Sequence, residues 1–411
     1  MGKALSEYDF FDPEVIECPF DFYRAARDEA PVYQLPDTNI FFVSRYDDVK
    51  SALKRTDVFS NDFAEQLNVP VKNPEAEAVY ATGWATADTL LTLDPPRHRV
   101  YRSLLNKVFS NKRVEGMTDY MVEIVNELID TWIDEGEVDL LNRFCVPFPI
   151  FVISDQLGVP REDIDLFRHW SDCFGSRLSR FADEDKELED AQAIVAFQHY
   201  FVDKIEKLRQ NPEDNIISDL AQARIDDDRL LTTEELLSII QQLLVAGNET
   251  SRATIAAAVQ YLIENPEQFD KLNADPSLVR NTVEEVLRLA TPSCGLWRVV
   301  KEDTELGGVA IPEGSMLMVR FASANRDERV FDEPEKMDVC RHNADDNLAF
   351  GQGVHFCVGA QLARKEVNVA LEYLLKRTTN WRLTEGKNTL THWPNMILRG
   401  LNDLHISFDK R

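Results

Sequence analysis

Cys357 lies near the end of the stretch Phe350-Gly351-Gln352-Gly353-Val354-His355-Phe356-Cys357-Val358-Gly359 and precedes a helical pattern of Ala360, Leu362, Ala363, Val367, Val369, Ala370 and Leu371. Gly351 and Gly353 permit backbone conformations closed to residues with a Cβ, so they suit a tight loop. A cysteine where such a loop turns into a helix sits among free amides at the positive end of the helix dipole, which favours the thiolate. A thiolate so placed can ligate a metal or attack an electrophile. Cysteine hydrolysis is the weaker of the two, because His355, two residues away on the same loop, brings no third group to orient it.

Two further pairs have the spacing for chemistry. His98 and Arg102 follow Asp94-Pro95-Pro96, where Asp94 is a good N-cap and the prolines suit a first turn. At i and i+4 they share a helix face and can grip one anion together. Glu249 and Thr250 lie in a run that opens with the capping box Thr232-Thr233-Glu234-Glu235 and stops before Pro266. That helix of about thirty residues is roughly 45–50 Å long. Gly247 in its interior costs roughly 1 kcal/mol relative to alanine and needs a reason, such as a closely approaching ligand or a local opening of the helix. The alternative reading is that Thr250 bonds back to a carbonyl and Glu249 is a solvated helix residue.

Phe350-x-x-Gly353-x-His355-x-Cys357-x-Gly359 with Leu362-Ala363-Arg364 resembles the haem-binding loop of the cytochromes P450. The resemblance implies that Cys357 is the axial thiolate of haem b, that His355 meets a propionate and that Phe350 and Gly359 flank the sulfur. Asp94-Pro95-Pro96-x-His98-x-x-x-Arg102 is similar to another motif of that family and implies that His98 and Arg102 hold a propionate, with Arg298 as a further partner. Ala246 to Thr250 resembles the oxygen-binding segment of the family's long helix, with Ala246 beside the haem. There Thr250 is the threonine expected to hydrogen-bond O2, and Glu249 is the acid expected to relay protons. Glu285-x-x-Arg288 with Phe331-x-x-Pro334-x-x-x-Asp338-x-x-Arg341 is similar to the family's structural Glu-Arg-Arg network. Gln242, Val245, Cys294, Leu296 and Ile397 are expected to wall the substrate pocket; Gln242 either orients a substrate oxygen or bonds a neighbouring element.

The elements around these residues read as helix from Pro19 to Glu29, strand from Asn39 to Ser44 and helix after Asp47. Residues 58–90, with Pro70, Pro74 and Gly83, lack periodicity, as a lid or binding loop would. Residues 115–225 read as helical almost throughout, with a break at Gly158-Val159-Pro160. Within them, 172–198, with Phe174, Leu178 and Phe181, is either a mobile lid or an ordinary surface helix pair. A helix opens at Asp275-Pro276 and strands follow near Arg298 and from Met316 to Phe321. The fold expected is mainly α (α+β), a single P450 domain over 1–411.

Composition narrows the function classes. The 411 residues carry a net charge of −27, which disfavours nucleic acid and anionic membrane as partners, and 44% hydrophobic residues provide for a core. The six cysteines are scattered, as in a reducing cytosol rather than a disulfide scaffold or zinc ribbon. No segment has the apolar length of a membrane span. These observations and the resemblance imply a cytoplasmic, monomeric haem-thiolate monooxygenase acting with O2 on a terpenoid, steroid or aromatic compound. A peroxide-using peroxygenase and a haem-thiolate sensor are the alternatives. No flavin or nicotinamide fingerprint is present, so electrons are expected from NAD(P)H through a reductase and an acidic ferredoxin. The ferredoxin would dock on a basic patch of Arg99, Lys107, Lys112, Arg113 and Arg364.

Overall fold

The computed structural model describes residues 3–64, 71–179, 184–226 and 228–411. Pro70 and Phe181, named above, lie outside the described residues, as does the side chain of Leu178. The fold is mainly helical with small sheets. Two compact units are distinguished, each assembled from separated stretches: Met1–Asn61, Met117–Phe148 and Glu249–Arg411 in the first, Asp62–Gly116 and Pro149–Asn248 in the second.

The first unit holds a five-stranded sheet in the order Val32–Gln34, Ile40–Val43, Met316–Val319, Leu296–Val300, Phe59–Ser60. Ile40–Val43 and Met316–Val319 pair in parallel, and the other neighbours are antiparallel. One face buries Phe41, Val43, Leu317 and Val319 against Val49 and Leu53 of the helix Tyr46–Lys54. A second sheet in this unit joins Thr378–Leu383, His405–Lys410 and Glu137–Asp139. The last strand falls where the sequence reads as helix. Three residues carry too little pattern to announce a strand; register with a distant segment, Val138 opposite Ile406, makes it one.

In the second unit the helices Ile164–Ser179 and Glu184–Gln210 interlock through Trp170, Phe174 and Phe197, with ring centroids 5.0–5.6 Å apart. The stretch expected to be irregular contains a short helix, Pro74–Tyr80, whose N-cap Asn73 accepts from the amides of Glu75 and Ala76. The helix after Asp94 starts later than expected, at Arg97, with Pro96 at its N-cap, and the Asp94 carbonyl accepts the His98 amide.

The longest helix, Thr233–Glu264, contributes residues up to Asn248 to the second unit and from Glu249 onward to the first. Its start is a reciprocal capping box: the Glu235 amide donates to Thr232 Oγ1 at 3.2 Å and the Thr232 amide to Glu235 Oε2 at 2.7 Å. Arg229 and Tyr101 also donate to Glu235, holding its carboxyl well below the usual range, at about 2. The helix passes through Gly247 without a break. A Cβ there would make only ordinary contact with Ile153, at 3.5 Å.

Candidate functional site

Gly351 and Gly353 adopt φ +66° and +77°, in the left-handed region. They fold the loop so that the Phe356 amide donates to the Gly353 carbonyl and the Cys357 amide to the Phe350 carbonyl, at 3.1 and 3.0 Å. Cys357 is exposed, and the helix Ala360–Arg377 begins three residues later. A Cβ at Gly359 would lie 4.0 Å from the Cys357 sulfur, so the absence of a side chain there keeps one flank of the thiol open. Arg364 stacks over the Phe350 ring at 4.5 Å and pairs with Glu284 at 2.5 Å, clamping the loop to the helix Val279–Ala290.

Behind the loop, Glu285 accepts from Arg288 at 2.7 and 2.9 Å and from Arg341 at 3.0 Å, and all three are buried. Arg288 also donates to the Asn325 carbonyl at 2.9 Å. Asn325 in turn accepts the Leu348 amide on its side-chain oxygen at 2.6 Å, just before the loop begins. The ion pairs therefore reach the cysteine loop through one buried asparagine.

Arg298 lies on the strand Leu296–Val300, 1% exposed, donating to the Trp297 carbonyl. The Cys294 amide donates to the Ile397 carbonyl at 2.7 Å, which brings these two expected pocket residues together. The Cys294 side chain itself is buried and lines a narrow cavity with Tyr23 and Arg320. In the second unit, Gln242 donates to Thr89 Oγ1 at 2.8 Å, which is the neighbour-bonding reading of that residue. Ala246 is exposed, and Val245 is partly so. His98 is buried on the same helix as Arg102, and burial, aided by Arg102, pushes its pKa down to about 4. At neutral pH His98 is thus a neutral donor and Arg102 alone carries the charge of the pair.

Glu249 is buried and its Oε2 lies 3.3 Å from Arg252 Nε, while Arg252 stacks over Trp393 at 4.2 Å. Thr250 adjoins Glu249, and its carbonyl accepts from Thr254 Oγ1. Next along, Ser251 donates to Glu366 Oε2 at 2.5 Å. Glu366 belongs to the helix that follows Cys357 and is 1% exposed, and burial raises its pKa to about 8, so it is mostly protonated at neutral pH. This bond joins the acid–alcohol segment to the thiol's helix. Sequence reasoning missed Glu366, yet its position four residues from both Leu362 and Ala370 marked it as facing the core.

The Cytochrome P450 family model matches residues 178–400. Cytochrome P450 107B1 of Saccharopolyspora erythraea is 34% identical over 402 residues, covering 96% of each chain. The chain belongs to the cytochrome P450 family. A further relative of this P450 is the steroid C26-monooxygenase of Mycobacterium tuberculosis, 33% identical over 94% of this chain and 92% of that one. Among solved structures, CYP109E1 of Bacillus megaterium in complex with corticosterone superimposes with a TM-score of 0.82 at 32% identity, over 96% of this chain and 99% of that one. The P450 is a haem-thiolate monooxygenase that acts with O2 on a hydrophobic substrate and takes its electrons from a redox partner. The first unit suits haem: an accessible soft thiol on a doubly bonded loop, an open flank at Gly359 and a buried cation at Arg298. Among the described residues no helix is long and apolar enough to cross a membrane.

Proposed function

We propose that this P450 hydroxylates a rigid hydrophobic molecule of the steroid or terpenoid class, working as one cytoplasmic, monomeric domain over 1–411 supplied by an acidic ferredoxin and its reductase. The substrate class is supported by the steroid-related names of the two proteins above and by the apolar character of Val245, Leu296 and Ile397. For the ferredoxin, Arg99, Lys107 and Lys112 offer exposed positive charge on and just after the helix Arg97–Val108. Arg113 and Arg364, expected in the same patch, are engaged by Asp219 and Glu284 and are weaker contributors.

Haem would be held by Cys357, with His98, Arg102, Arg298 and His355 expected toward its propionates, and when bound would supply the oxidising power. The chain's own task is proton delivery. The observation that carries this reading is a buried carboxylate, Glu249, held by Arg252 and next to Thr250 in sequence, on a helix bonded to the thiol's helix through Ser251 and Glu366. Glu249 can take a proton at Oε2 and pass it on, and Thr250 can donate it from Oγ1. Burial of Asn248 and Glu249 keeps bulk water from supplying protons indiscriminately.

Thr250→Ala tests this. Substrate binding, read by displacement of the water ligand in the optical spectrum, is expected to persist, while product formed per reductant consumed falls at least about tenfold, a bound set below the roughly 10²–10⁴-fold that a proton-transfer group contributes. Unchanged coupling would remove Thr250 from the reaction. A panel of steroids, terpenoids and simple aromatics scored by the same spectrum tests the substrate class, and binding confined to aromatics would overturn it.

A further inference from the structure

Arg320 follows the strand Met316–Val319 and is 3% exposed. One terminal nitrogen donates to the Met396 carbonyl and the other to the Tyr23 hydroxyl, both at 2.6 Å. Its Nε has no hydrogen-bond partner among the described residues. The ionisable groups that face it are Tyr23 and Cys294, whose thiol is also within hydrogen-bonding reach, and the Phe10 and Tyr23 rings lie 5.6 Å from the guanidinium carbon; burial pushes the Tyr23 phenol up, so that group stays neutral. A guanidinium cannot shed its proton, and a buried cation needs a counter-charge.

Arg320 lines a cavity of about 10 Å³ with Tyr23, Cys294, Trp393, Asn395 and Arg399. Two arginines line it and no carboxylate does. Glu17, whose carbonyl accepts from Arg399, turns its carboxylate to the His392 amide and ring, at 2.9–3.1 Å. The Asn395 side-chain oxygen accepts from the Ile397 and Leu398 amides, which leaves its NH2 group to donate. The wall thus offers positive charge and donors, and the volume holds one water-sized occupant.

We propose that a compact monovalent anion of halide size binds between Arg320 and Arg399 and neutralises Arg320. The site belongs to the first unit and does not depend on the substrate assigned to this P450.

Thermal unfolding of the holoprotein in sodium chloride, acetate and gluconate at equal ionic strength tests it, gluconate being too large for the cavity. The midpoint is expected to rise by about 1–3 °C per tenfold chloride relative to gluconate, and the rise is expected to vanish in Arg320→Met and shrink in Arg399→Gln. A rise in chloride without one in acetate supports a halide-sized site; a matching rise in acetate, which does not fit a water-sized cavity, would place the effect elsewhere and count against it. Crystals of the unmutated protein soaked in bromide are expected to show an anomalous peak beside Arg320 Nε, a readout that needs no variant to fold. Equal chloride responses in the wild-type protein and Arg320→Met, or no bromide at this position, would overturn the proposal.

Discussion

Arg288 and Arg320 are both buried in the first unit, and their surroundings are opposite. Arg288 donates to both oxygens of Glu285 and to the carbonyls of Asn325, Pro334 and Lys336, so every guanidinium N–H has an acceptor. Arg320 has two oxygen acceptors, both neutral, a nearby Cys294 thiol and no carboxylate among the described residues facing it. Glu366 is a third case: a buried acid with one hydroxyl partner that escapes the cost of isolation by holding its proton. A carboxyl can neutralise itself and a guanidinium cannot. The fold therefore has to supply an anion for arginine, from the chain at Glu285 and from solution at Arg320.

The largest effect expected from breaking this contrast is at Glu285. Glu285→Ala strands two buried guanidinium groups and should cost about 3–5 kcal/mol. The cysteine loop hangs from the same network, so purified protein should lose the red-shifted Soret band of its reduced CO complex; a variant with normal haem content would show that the network does not support the loop. Glu366 comes next. Its folded pKa of about 8 exceeds its unfolded value of 4.5, so its contribution is full below pH 4.5 and is lost as pH rises through 8. Wild-type stability should decline across that window by on the order of a few kcal/mol more than in Glu366→Gln, and parallel pH profiles would contradict the burial argument. The smallest effect has the opposite sign: in gluconate, where Arg320 has no small counter-ion, Arg320→Met should be neutral or about 1 kcal/mol more stable than wild type in denaturant melts. A loss of several kcal/mol would mean that the bonds to Tyr23 and Met396 outweigh the buried charge.

Much of this was legible along the chain because it is local. The cysteine loop declares itself through glycine spacing, the long helix through Thr232, Glu235 and Pro266, and the Glu285–Arg288 pair through helical periodicity. What escaped depends on partners far away in sequence. Glu137–Asp139 becomes a strand only beside His405–Ser407. Arg113 and Arg364 read as free surface charge until Asp219 and Glu284 stand next to them. Arg320 sits in the apolar run Met316-Leu317-Met318-Val319-Arg320-Phe321, a hint that the strand carries its charge inward, but no sequence pattern states whether an acid waits there.

The two loop glycines differ in what they forbid. At Gly351 a Cβ would have only an ordinary contact with Phe321, at 3.7 Å, so the positive φ is the whole constraint and asparagine can meet it. At Gly353 a Cβ would fall 2.8 Å from the Leu53 carbonyl, at the end of the helix Tyr46–Lys54, besides requiring φ +77°. In a randomised library selected for haem incorporation, position 351 should return glycine with some asparagine and aspartate, while position 353 returns glycine alone, pinned by a backbone three hundred residues away in sequence.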